Sequence, residues 1–304
     1  MNKNEVICCF GDSITAAGLW CGEVFEQVAK KGARLYNCGV SGDTATLSLK
    51  RIYSDLISYS PTTVLVMFGI NDVSHWIYPR EDADTRKFID SLILRHKESL
   101  EKIINIVSST GAQVVLCDPV PYMEDEGFDS NNNKCNSDLD KVRENIYALA
   151  EKYNLDVIKI HDAILEASKK DKVINEDRIH PNEKGHHVIA QTVLQYLGLI
   201  DKPDEKSTYE FAPANQERLD VEKIYKEIMF MYHSSVEMHC LVNHITFTGK
   251  QRRDFIENSI NSPNQLTASR AKLYAEYADS LLELRGKIIE KTIEAVNYFT
   301  EVEK

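Results

Sequence analysis

Between residue 5 and about residue 197, short apolar runs rich in β-formers alternate with stretches whose apolar residues recur every three or four positions. The runs near 5–10, 34–38, 63–68, 113–118 and 155–160 predict strands, and the stretches between them predict helices. VICCF and TVLVMF are almost wholly apolar, as expected of strands covered on both faces. Around 86–107, Phe88, Leu92, Leu100, Ile103, Ile104 and Val107 fall at helical spacing. This alternation predicts a parallel sheet with helices on both sides, a three-layer α/β architecture.

After Leu199 the alternation stops. A polar, charged stretch containing Pro203 and Pro213 predicts a linker at 201–217, which leaves 1–200 as one domain and 218–304 as an all-helical extension. Val221, Ile224, Ile228 and Tyr232 recur at helical spacing there. A longer stripe runs through Leu273, Tyr277, Leu281, Leu284, Ile288, Thr292, Ala295 and Phe299. Such a stripe needs a cover, and two remain open: homodimerisation through the extension, or packing of the extension on the α/β domain.

Charge and cysteine usage narrow the function classes. A formal net charge of −11 with no local Lys/Arg cluster argues against nucleic acid and anionic membrane surfaces as partners. No apolar stretch approaches the roughly 18 residues of a membrane span, and no basic region precedes an apolar run at the N-terminus. Integral membrane association is therefore not expected. Seven cysteines without a C-x-x-C pair read as free thiols, which points to a reducing, cytoplasmic location.

Four separated motifs carry chemistry: Gly11-Asp12-Ser13-Ile14-Thr15, Ser41-Gly42-Asp43, Gly69-Ile70-Asn71-Asp72, and Asp177-Arg178-Ile179-His180-Pro181. The first three each follow a predicted strand, so an open parallel sheet brings them to one edge, at the carboxyl ends of the strands. Acyl transfer needs a nucleophile, a base, a group that orients the base, and donors for an oxyanion. Ser13, His180 and Asp177 fill the first three roles. The backbone N–H groups of Ser13 and Gly42 and the side-chain amide of Asn71 fill the last. Asp12, Trp76 and Tyr78 are the expected substrate contacts, and a polar stretch from Met123 to Asp138 is either a flap over the site or a solvated loop.

Over roughly residues 5–197 this set resembles the SGNH hydrolases, also called the GDSL family of lipases and acylhydrolases. The family's four signature residues are matched by Ser13, Gly42, Asn71 and His180, and its acid by Asp177. The resemblance implies a flavodoxin-like sheet, no metal or other cofactor, and hydrolysis of esters or thioesters. One departure is that two alanines, Ala16 and Ala17, precede Gly18 after the first motif, which would shift a pocket wall.

Each residue also has a plainer reading. Ser13 could cap a helix, Gly39 rivals Gly42 as oxyanion donor, and Asp72 is expected to close an Asx-turn. His186 and His187, and His239, Cys240 and His244, suggest metal ligands only by proximity in sequence. Ser41 lacks the second glycine of a G-x-S-x-G elbow, because position 43 is Asp. The expected function is a serine esterase acting on short acyl, notably acetyl, esters of a small molecule or sugar. Lysophospholipid or thioester hydrolysis, a metallophosphoesterase and a non-catalytic scaffold are the alternatives.

Overall fold

The computed structural model describes residues 1–75, 82–123, 135–204 and 286–301. Five strands, β1 (Val6–Gly11), β2 (Arg34–Gly39), β3 (Thr63–Met67), β4 (Gln113–Cys117) and β5 (Asp156–Ile158), form one parallel sheet in the order β2-β1-β3-β4-β5. All six residues of β1 are buried, and it pairs on both sides, with Phe10 opposite Cys38 of β2 and Val66 of β3. Its continuous apolar run is the consequence of burial on two faces and two edges. The chain steps from β1 to β2, returns past β1 to β3, and then continues outward to β4 and β5. With right-handed crossovers, that reversal sends the helices after β1 and after β3 to opposite faces.

The helices bear this out. On one face α2 (Leu19–Lys30) packs with α7 (Glu183–Tyr196), which also meets α6 (Ile160–Ser168); on the other, α4 (Ala83–Ser109) packs with α5 (Cys135–Tyr153). Two one-turn helices, α1 (Ser13–Ala16) and α3 (Ala45–Ser48), lie immediately beyond the carboxyl ends of β1 and β2, and α3 is followed by a π-helical turn over Ile52–Leu56. The three-layer flavodoxin-like architecture expected from the hydrophobic pattern is thus present. The reversal of strand order opens a crevice outside the carboxyl ends of β1 and β3.

The structure corrects the buried face of α4. It runs through Ile89, Ile93, His96, Leu100, Ile103, Ile104 and Val107, while Phe88 is 47% exposed and Leu92 only half-buried. His96 is fully buried and joins the two halves of the stripe. A count of apolar residues skips it, and the first two turns are then assigned one position too early.

By internal contacts the chain divides into two compact units, Met1–Ala214 with Val296–Lys304, and Asn215–Ala295. Residues 286–301 are helical (α8), and Ile288, Thr292, Ala295 and Phe299 of the expected stripe are buried. The rest of the stripe and the residues Val221, Ile224, Ile228 and Tyr232 lie outside the described residues. So do residues 124–134 of the expected flap, whereas Cys135–Asp138 form the first turn of α5. Among the described residues no helix is long and apolar enough to cross a membrane.

Candidate active site

Three loops leave the sheet at its carboxyl edge, and the fourth motif closes on them from the segment before α7. Ser13 is the first residue of α1. Asp12 caps that helix, its Oδ1 accepting from the Ile14 N–H at 3.0 Å. The turn is held from outside by the Trp20 indole N–H, which donates to the Ile14 carbonyl at 3.1 Å, and by the Asn37 amide, which donates to the Thr15 carbonyl at 2.7 Å. Ser13 thereby sits at the mouth of the crevice with its Oγ 2.8 Å from His180 Nε2.

His180 lies in a tight loop closed by an antiparallel bridge between Ile174 and Pro181 and by the Asn175 N–H donating to the His180 carbonyl at 2.8 Å. Arg178 adopts a left-handed φ of 67° at the tip. Asp177 Oδ1 accepts from the N–H groups of Ile179 and His180 at 3.0 and 2.9 Å, leaving Oδ2 for His180 Nδ1 at 2.6 Å. With Nδ1–H committed to Asp177, Nε2 faces the Ser13 hydroxyl as an acceptor. Partial burial pushes the Asp177 carboxyl up, but the two amides and the imidazole outweigh it and hold it below the usual carboxylate range. Serine, imidazole and carboxylate form one unbroken hydrogen-bonded path.

Two of the expected oxyanion donors lie on the other two loops. Gly42 has a left-handed φ of 73°, and none of the hydrogen bonds among the described residues uses its N–H or that of Ser13. The rival Gly39 is engaged otherwise: its N–H donates to Asn37 Oδ1 at 2.9 Å, and a Cβ there would lie 2.3 Å from the backbone nitrogen of Ala16. Its lack of a side chain serves the approach of α1 to β2. Asn71 donates one amide hydrogen to the Asp43 carbonyl at 3.0 Å, which orients the side chain and leaves the other hydrogen without a partner among the described residues.

Two carboxylates stand elsewhere than the sequence suggested. Asp12, expected to touch substrate, is 2% exposed and faces the interior as the α1 cap. Burial and the neighbouring Asp43 push it up to about 7 against the opposing Ile14 amide and His180. Asp72 makes no Asx-turn; both its oxygens accept from the Ala45 N–H, at 3.1 and 3.4 Å, across 27 residues. Its burial raises its pKa well above the usual range. Asp72 stays inside on a backbone donor 27 residues away, whereas Asp12 stays inside on the amide two residues on.

Trp76 and Tyr78, also expected at the substrate, lie outside the described residues. His75, just before them, is half-buried; its burial and the nearby His180 lower its pKa, with Asp177 opposing. His186 and His187 diverge rather than converge on a metal: His187 Nδ1 is 2.9 Å from Glu23 Oε2, which also faces Gln191, and burial pushes His186 down to about 4. Among the described residues no set of three His, Cys, Asp or Glu side chains is arranged to hold a metal ion. His239, Cys240 and His244 lie outside them.

Arg51 escaped the sequence reading. It is 2% exposed and inserts between the ends of β1 and β2, donating to Asp43, to the Cys38 carbonyl and to the Gly11 carbonyl. Nothing in the run SLKRIYSDL marks its arginine as buried, because its principal partner is eight residues upstream in another loop.

Comparison with known proteins fits this arrangement. Residues 9–188 match the GDSL-like Lipase/Acylhydrolase family. An acetylxylan esterase of Xylanibacter ruminicola is 26% identical over 148 residues, which span 46% of this chain and 29% of that protein. An acetylxylan esterase of Geobacillus stearothermophilus is 25% identical over 169 residues, 55% of this chain and 73% of that protein. Among solved structures, a gut microbial diltiazem-metabolizing enzyme superposes with a TM-score of 0.75 at 14% identity, covering 100% of this chain and 96% of its own. The Geobacillus acetylxylan esterase superposes with a TM-score of 0.52 at 20% identity, covering 69% and 98%. The likeness to these two structures is one of fold. The match over more than half the chain is one of family: the chain belongs to the GDSL-like lipase/acylhydrolase family of carboxylic ester hydrolases.

Proposed function

We propose that this protein is a serine esterase that hydrolyses short acyl, notably acetyl, esters of a small molecule or sugar. The observation that carries the reading is the path from Ser13 through His180 to Asp177, at 2.8 and 2.6 Å, beside the unengaged N–H groups of Ser13 and Gly42. Ser13 Oγ attacks the ester carbonyl carbon while His180 Nε2 takes its proton. The carbonyl oxygen, now an anion, is met by the two amides and Asn71. Collapse expels the alcohol, which leaves with the proton from His180 and an acyl group on Ser13. Water, deprotonated by the same imidazole, then releases the carboxylic acid and restores Ser13.

Two observations on relatives support the finer points. Both curated relatives are named acetylxylan esterases. In solved structures of the Geobacillus enzyme, the variants described as catalytic mutants replace a serine, an aspartate and a histidine, the last two three positions apart, as are Asp177 and His180. The test is a panel of p-nitrophenyl esters from acetate to palmitate, followed by acetylated xylooligosaccharide, a lysophospholipid and an acyl thioester. Highest kcat/KM on acetate with release of acetate from the sugar is the expected result. A maximum on long chains or on the thioester would replace the acetyl-ester reading.

A further inference from the structure

Arg51 sits beneath the oxyanion donors rather than beside the substrate. Its Nε donates to Asp43 Oδ2 at 2.7 Å, Nη1 to the Cys38 carbonyl at 2.7 Å, and Nη2 to the Gly11 carbonyl at 3.0 Å, with Asp55 Oδ2 3.6 Å from Nη1. The guanidinium carbon lies 4.5 Å from the centre of the Phe10 ring. These acceptors are not scattered. Gly11 is two residues before Ser13, Asp43 is the residue after Gly42, and the Asp43 carbonyl receives the Asn71 amide. One planar fork therefore binds the strand end two residues before Ser13 and the side chain of Asp43, which follows Gly42 and whose carbonyl holds Asn71, in directions that a single ammonium could not satisfy together.

Charge adds to the geometry. Asp43 and Asp55 are buried 2.7 and 3.6 Å from the Arg51 guanidinium, which is itself buried. A negative charge developing on the substrate carbonyl would meet these carboxylates through a low-dielectric interior, where repulsion is poorly screened. We propose that Arg51 is a positioning residue for the oxyanion hole: it fixes the Ser13 and Gly42 amides by clamping the ends of β1 and β2, and its charge offsets the carboxylates behind them. This rests on the ester-hydrolase reading of Ser13.

The test uses the full chain and compares Arg51→Met, Arg51→Lys and Asp43→Asn with the wild type. Active sites are counted by fluorophosphonate labelling, kcat and KM are measured per labelled site on p-nitrophenyl acetate, and amide hydrogen exchange is followed over residues 39–46. Arg51→Met is expected to lower kcat by about 10–100-fold with KM within about twofold, the scale of a small misplacement of catalytic donors. Exchange over 39–46 should rise with it. Arg51→Lys should recover part of the loss, and Asp43→Asn, whose amide oxygen still accepts from the guanidinium, should lose less than Arg51→Met. Per-site kcat of Arg51→Met equal to wild type, or unchanged exchange in 39–46, would overturn the proposal, since a purely structural arginine lowers only the folded fraction. If Arg51→Met does not fold, the lysine and asparagine variants decide by the same two readouts. If the wild type shows no Ser13-dependent turnover, the ester-hydrolase reading fails, and the exchange data alone judge the clamp.

Discussion

The two halves of the site are built in opposite ways. The half expected to meet the oxyanion is interior: Asp12, Asp43, Asp72 and Arg51 are buried, and although Ile14 holds Asp12 locally, the bonds from Asp72 to Ala45 and from Arg51 to Gly11 join segments 27 and 40 residues apart. The acid–base half is local and open: the side chains of His180 and Asp177 are 43% and 48% exposed, and the bonds that aim them span two or three residues. A charge that appears only in the transition state is best met by dipoles fixed in advance in a water-poor setting. A base that must pass protons to a leaving alcohol and take them from water works at the surface. The fold places the first kind of group at strand ends and the second on a hairpin-like loop.

Removing the base should have the largest effect of the variants that probe this contrast. His180→Ala is expected to lose about 10⁴-fold or more in kcat with the melting temperature nearly unchanged, because nothing in the core depends on the imidazole. A loss of stability comparable to that of a core variant would contradict the local construction of this half. On the interior half, Asn71→Ala should lower kcat by about 10²–10³ with little change in KM, as for other oxyanion donors. It should also destabilise the protein, because the Asp43 carbonyl loses its donor; a pure KM effect would make Asn71 a substrate-binding residue instead.

Much of this was readable in the sequence, and what was not has a physical reason. The five strands, the sheet type and the four motifs follow from periodicity and from residues that each carry their chemistry in a local run. The Asp177-to-His180 half was legible in full, since its geometry is made by neighbours in sequence. The interior half shows in the sequence only at its expected tips, Ser13, Gly42 and Asn71. Asp72 was misread and Arg51 missed because a charged residue in sequence looks solvent-facing until the distant donor or acceptor that keeps it inside is known. His96 was lost from the face of α4 in the same way.

Acid should expose the cost of those interior groups. Burial lowers His96 and His186 to about 4, so between about 6.5 and 4 the unfolded chain binds protons that the folded chain refuses. Stability is therefore expected to fall as pH drops through that window, by about 3 kcal/mol at pH 4 for a single such group. His96→Leu should flatten the slope of urea midpoint against pH; an unchanged slope would mean that His96 does not titrate in the folded protein as its burial requires.

The effect expected at Asp12 has the opposite sign. Asp12 is raised to about 7, so the folded protein holds a proton there that the unfolded chain releases above about 3.8, and this stabilisation is lost as pH rises toward and past 7. Asp12→Asn keeps an oxygen to cap α1 and removes the buried charge. It should raise the melting temperature at pH 8 by about 10 °C and change it little at pH 4. An equal shift at both values would locate the effect in the cap rather than in the charge.

The central claim is that Ser13 is the nucleophile of an ester hydrolase. It is tested most directly by incubating the wild type and Ser13→Ala with a fluorophosphonate, locating the adduct by peptide mass spectrometry, and assaying p-nitrophenyl acetate in parallel. The account predicts one adduct, on Ser13, with stoichiometric loss of turnover, and neither labelling nor turnover in a folded Ser13→Ala. An adduct on another residue, or substantial hydrolysis by Ser13→Ala, would contradict it.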